Sequence, residues 1–159
     1  VSDLVIGIDP DLVKSGVGIV RNGKLEELHA LNIVDLQGLI KEGVGIGAHF
    51  VVEDVESMKP TFPRHLKAQG KESRERQMQK ISQNVGQVKA VARIVCQCLD
   101  ALGASYTLVK PLGGTAKAAK RNAELFKKMT GWEGRSNEDT RDAAMLALSV
   151  TRRLQRAKA

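Results

Sequence analysis

The sequence predicts an α/β fold: a mixed five-stranded sheet, made of a three-stranded antiparallel meander joined to parallel strands, with helices on its faces. Three observations predict it. Apolar runs near the N-terminus are separated by turn residues at hairpin spacing. Two further apolar runs, at residues 50–55 and 105–109, each follow a helical segment, as a crossover to a parallel strand requires. From Arg74 onward the apolar residues recur at helical rather than alternating spacing.

Each element has a local cause. Leu4-Val5-Ile6-Gly7-Ile8 reads as a buried strand stopped at Asp9-Pro10. Residues 16–20 form a second strand, Asn22-Gly23 supplies a two-residue hairpin turn, and residues 25–34 return as a third. Asp35 is expected to cap a short helix that runs to about Glu42 and is broken by Gly43, Gly45 and Gly47. Residues 50–55 are the fourth strand. Residues 57–71 contain Pro60, Pro63 and Gly70 and read as a loop. From Arg74 to Leu102, Met78, Ile81, Val85, Val88, Ala92, Val95, Leu99 and Leu102 alternate three and four apart, a heptad seam for a core or a dimer interface. Gly103 ends that helix, and residues 105–109 are the fifth strand. Gly113-Gly114-Thr115 opens a basic helix to about Met129. Ser136 or Asn137 caps a final helix that runs into a basic tail. No internal repeat stands out, and residues 1–159 read as one domain.

Composition narrows the function classes. Hydrophobic residues make up 42% of 159, enough for a core, yet no apolar run reaches membrane-spanning length. No charged-then-apolar leader is seen, so a cytoplasmic protein is expected, in a bacterium or a phage-infected host. Cys96 and Cys98 lie two apart on a predicted helix, which suits neither a disulfide nor zinc. Residues 1–56 carry four Lys/Arg and ten Asp/Glu, whereas residues 57–159 carry 21 and eight. A basic segment attached to an acid-rich one suggests a polyanion partner, with the acids doing something local.

Those acids stand where packing alone would not put them. Asp9 ends an apolar strand, and Glu53 lies near the end of another. Asp139 and Asp142, three apart, share one face at the start of the last helix. If the first and fourth strands are adjacent, the four carboxylates meet. Such a cluster needs a counter-ion, and oxygen-only ligands favour Mg²⁺, with Mn²⁺ able to substitute. Two ions would suit phosphodiester hydrolysis. No small-molecule cofactor is implied.

Gly7-Ile8-Asp9-Pro10 followed by Gly16-Val17-Gly18, Val51-Val52-Glu53-Asp54-Val55, and Glu138-Asp139-Thr140-Arg141-Asp142-Ala143-Ala144 resemble, in order and spacing, the acidic motifs of RuvC-type Holliday-junction resolvases. The resemblance implies a ribonuclease H-like fold and metal ligation by Asp9, Glu53, Asp139 and Asp142. It implies catalytic lysines at Lys110 and at Lys117 or Lys120. It further implies a homodimer through the helix of residues 74–102, resolving four-way DNA junctions and other branched DNA by paired nicks.

There are departures. Asp11 stands where that family has glycine. Glu56 stands where it commonly has an aromatic residue for stacking on bases, so that Phe62 or Met58 would have to substitute. The connection between the third and fourth strands is short, so a helix usual in the family is expected to be reduced or missing. These features suit a relaxed, structure-selective enzyme of the bacteriophage kind.

DNA contacts are expected from Lys59, Phe62, Arg64, Lys67, Lys71, Arg74, Arg76 and Lys80, and from Lys117, Lys120 and Arg121. Competing readings are a ribonuclease H-like nuclease acting on flaps or RNA–DNA hybrids, and a non-catalytic junction-binding protein. An actin-like ATPase also opens with Gly-Ile-Asp but needs a second such domain.

Overall fold

The computed structural model describes residues 3–57 and 70–159. Lys59, Phe62, Arg64 and Lys67, together with Met58, lie outside the described residues. Strands β1 (Leu4–Asp9), β2 (Ser15–Arg21), β3 (Lys24–Leu31), β4 (His49–Glu53) and β5 (Ser105–Val109) form one sheet in the order β3-β2-β1-β4-β5. β1 and β2 are antiparallel, as are β2 and β3. β4 is parallel to β1, and β5 to β4. This is the predicted mixed sheet. The hairpin turn falls at Asn22 and Gly23, both with positive φ (51° and 80°), the conformation that an Asn-Gly pair adopts at little cost.

Helices α1 (Ile33–Gly45) and α2 (Lys71–Ala101) cover one face of the sheet. Their core includes Ile6, Ile8, Leu36, Ile40, Phe50, Val52, Val91, Val95 and Leu99, all buried. Helices α3 (Gly114–Arg121), α4 (Ala123–Thr130) and α5 (Glu138–Lys158) cover the other, around Val5, Val51, Phe126, Met145 and Leu146. Fully burying a side chain the size of Phe50 or Leu146 stabilises the fold by about 1.5–3 kcal/mol.

Several expectations need correction. Asn32, not Asp35, caps α1, accepting a hydrogen bond from the Asp35 amide at 2.9 Å, so β3 ends at Leu31. The helix then runs through Gly43, which is buried against Phe50; an added Cβ there would meet the Phe50 ring at 2.8 Å. It spans 13 residues, so the helix of this connection is present rather than missing. The single basic helix is two. Asn122 ends α3 with an extended backbone and caps α4 by accepting from the Leu125 amide at 3.1 Å. The fourth strand stops at Glu53 and passes into a short 3-10 turn, Val55–Ser57. Asn137 is the α5 cap, in a reciprocal box with Thr140. Among the described residues, no helix is long and apolar enough to cross a membrane.

Candidate metal centre

The site is built where β1 and β4 end side by side. Ile8 pairs with Val52, so Asp9 and Glu53 follow at the same level on neighbouring strands. Both side chains belong to the sheet face under α5. The alternation of a strand puts Gly7 and Asp9 on one face, and Ile6 and Ile8 on the other.

Why α5 lies close enough to complete the site is a matter of missing side chains. Gly7 pairs with Gly18, and Asp9 with Gly16. A methyl group added at Gly7 would meet the Ala143 carbonyl oxygen at 2.0 Å. One at Gly16 would meet the Asp139 carbonyl oxygen at 2.2 Å, and one at Gly18 the Ala144 Cα at 2.6 Å. The strands thus offer a glycine floor to the backbone of Asp139, Thr140, Ala143 and Ala144. Backbone meets backbone there, and the first turns of α5 are held over the strand ends.

The result is a compact carboxylate cluster. One oxygen from each of Asp9, Glu53 and Asp142 lies within 4.8 Å of the others, and all three residues are buried. Asp139, one turn earlier on α5, is half-buried and is not one of these three. Of the three candidate lysines, Lys120 is the one that reaches the cluster. Lys120 Nζ donates to Asp142 Oδ2 at 2.8 Å and lies 3.8 Å from Asp9 Oδ2. Lys117 and Lys110 are exposed and make no ion pair with the cluster among the described residues. Lys71, Arg74, Arg76 and Lys80 line the exposed first half of α2, and Arg121 is exposed at the end of α3.

Charge is unbalanced in this arrangement. Burial, and then the negative charge of Glu53, push the Asp9 carboxyl up from 3.8 to about 9, against the pull of Lys120. Burial and then Asp142 raise Glu53, while Lys120 and a hydrogen bond with Asp9 oppose the rise. Burial and then Asp11 raise Asp139. Burial alone would lower Lys120, but its bond to Asp142 and the surrounding carboxylates outweigh that, and its proton is held more tightly than usual. One ammonium does not neutralise four carboxyls. The donor set is all oxygen, buried and convergent, which fits a hard divalent cation held by Asp9, Glu53 and Asp142 with Asp139 alongside.

Sequence reasoning missed one residue here. Arg141 is buried, and its guanidinium donates to the Lys120 carbonyl oxygen at 2.8 Å and to Ser136 Oγ at 2.9 Å. It ties α5 to the end of α3 and so fixes the backbone that carries Lys120. Its position between the two α5 aspartates was the available signal.

No family model matches the sequence, and no curated protein matches it. Solved structures do match. The chain is similar to RuvC of T. thermophilus in complex with a Holliday junction substrate, with a TM-score of 0.58 and 16% identity, over 98% of this chain and 97% of that one. It is also similar to a further Thermus thermophilus RuvC structure, with a TM-score of 0.51 and 15% identity, over 97% and 96%. The fold is therefore the ribonuclease H-like fold of RuvC.

Proposed function

We propose that this protein is a metal-dependent endonuclease that resolves four-way DNA junctions and related branched DNA. The observation that carries the reading is the buried cluster of Asp9, Glu53 and Asp142, with Lys120 bonded into it, at the end of a RuvC-like sheet. Such a concentration of buried negative charge is costly without a cation and has no structural use, since packing would be better served by apolar side chains.

Asp9, Glu53, Asp142 and Asp139 would hold Mg²⁺ or Mn²⁺. Two ions in such a site supply Lewis acidity and an activated water for phosphodiester hydrolysis. The chain's own residues do the rest. The carboxylates accept hydrogen bonds from the attacking water and orient it. Lys120 carries a firmly held proton and a positive charge at the cluster, placed to attract the phosphate and to offset charge building on it. The exposed cations of α2 and α3, and the cations that the sequence places in residues 57–71, suit the phosphate backbone on either side.

A homodimer through α2 fits the same reading. Met78, Ile81, Val85 and Val88 continue the heptad seam beyond the intramolecular core and are only half-buried. Paired nicks across a junction need two sites related by two-fold symmetry.

The test is cleavage of a cruciform-bearing plasmid, four-way junctions, flaps and RNA–DNA hybrids with Mg²⁺, beside the Asp9→Asn and Asp142→Asn proteins. Junction cutting with linear plasmid as product supports a dimeric resolvase. A loss of at least about 10³-fold is expected in both variants. Equal cutting by the variants sinks the metal assignment. Preference for flaps or hybrids transfers the protein to another nuclease class, and binding without cutting makes it a non-catalytic junction binder.

A further inference from the structure

The loop between β1 and β2 carries a feature that neither core nor cluster accounts for. It leaves β1 directly after Asp9 and returns at Ser15, one residue before the Gly16 that pairs with Asp9. Its tip therefore projects past the end of the sheet at which the carboxylates gather. The return leg is fixed against the first turn of α5 by the close approach of Gly16 to the Asp139 backbone.

The tip is held by its own hydrogen bonds. The Asp11 amide donates to Ser15 Oγ at 3.0 Å, Ser15 Oγ donates to the Asp11 carbonyl oxygen at 3.3 Å, and the Leu12 amide donates to Asp11 Oδ1 at 2.7 Å. Ser15 is buried. This local scaffold leaves two branched apolar side chains pointing away from the protein. Leu12 is 48% exposed and Val13 is 73% exposed, and neither belongs to either core. Lys14 follows, exposed.

A single exposed apolar side chain needs no explanation. Two adjacent ones, on a braced turn beside the carboxylate cluster, are a different matter. They offer nothing to a phosphate. An intact duplex covers its base planes with neighbouring bases, so it has little apolar surface to meet them. A strand that turns away at a branch, gap or end leaves base planes open, and those are the apolar faces such a tip could meet. Apolar side chains placed against base steps are a known means of holding distorted DNA.

We infer that Leu12 and Val13 form a nucleobase-binding tip, packing on unstacked bases beside the phosphodiester at the carboxylate cluster, with Lys14 on the adjoining phosphate. The inference rests on the proposed nuclease reading. It assigns part of the preference for branched over linear DNA to the β1–β2 loop.

The test places 2-aminopurine at each position flanking the branch of a four-way junction and follows its fluorescence on binding in Ca²⁺, which holds the complex uncut. With the parent protein, one or two positions are expected to change by at least about twofold. In L12A/V13A that change is expected to fall by more than half, and Mg²⁺-driven junction cleavage by about tenfold, whereas Leu12→Met retains both. Mn²⁺ titration and thermal melting of the variant report an intact cluster and fold. An unchanged fluorescence response in L12A/V13A, or none in a parent protein that cuts junctions, overturns the tip alone. A parent protein that cuts no branched substrate overturns the nuclease reading and the tip with it.

Discussion

Helices α5 and α2 lie on opposite faces of the same sheet and are put to opposite uses. α5 is buried along one run from Thr140 to Leu148, with Ala143, Ala144 and Ala147 laid on the glycines of β1 and β2. α2 is longer, 31 residues, but only Val91, Ala92, Val95 and Leu99 are buried. Its first half is an exposed basic helix. The difference teaches how such a site is made. Side chains that must meet within a few ångströms are mounted where backbone touches backbone and nothing can shift. The cations that the proposed function assigns to a polyanion are mounted on the exposed half of α2.

The sharpest way to break this division is Gly7→Val. The new side chain collides with the Ala143 carbonyl, a backbone atom with nowhere to go. A loss of more than about 3 kcal/mol is expected, lowering Tm by roughly 10 °C. Differential scanning calorimetry decides it, and an unchanged Tm would mean that α5 does not lie where described.

Arg141→Ala attacks the same region without touching a carboxylate. It strands the Lys120 carbonyl and Ser136, at a cost of about 2–3 kcal/mol. Because Lys120 loses its anchor, cleavage is expected to fall further than Mn²⁺ affinity. If the two fall together, Arg141 is only a structural tie.

The third effect is on pH dependence. Without metal, Asp9 keeps its proton to about pH 9 when folded but releases it near 3.8, as an ordinary aspartate does, when unfolded. The folded state binds more protons throughout that window, so stability falls as pH rises through it. Asp9→Asn should flatten the slope, leaving the metal-free variant about 1–3 kcal/mol more stable than the parent at pH 8. Added Mg²⁺ should stabilise the parent and not the variant. Melting curves across pH, with and without metal, test both statements, and a parent stability that rises with pH would contradict the buried-cluster electrostatics.

The smallest effect belongs to α2. Gly86 sits inside the exposed half with open space around it. Gly86→Ala is expected to stabilise by about 0.5–1 kcal/mol through helix propensity alone. A destabilisation instead would show that this face is closely packed in solution, as a tight dimer seam would require.

Much of this was legible beforehand because it is local. Apolar runs, the Asn22-Gly23 turn and the heptad seam mark strands, hairpin and helix through contacts only a few residues long. The misread parts were choices between neighbouring local options. Asn32 and Asp35 can both cap α1, and packing of Gly43 against Phe50 let the helix run on through a residue that usually ends one. Asn122 broke a basic run whose periodicity was continuous.

For the site, the sequence by itself determined the ingredients: four acids at strand ends and a helix start, a basic remainder, and the candidate lysines Lys110, Lys117 and Lys120. Only the tertiary structure decided which of them meet. It put Asp142 rather than Asp139 among the inner three, and Lys120 rather than Lys110 or Lys117 beside them. The reason is physical. Strand periodicity fixes which face a carboxylate occupies, but the distance between a helix and a sheet depends on what lies between them. Here almost nothing does, because Gly7, Gly16 and Gly18 come together only once β1 and β2 have paired.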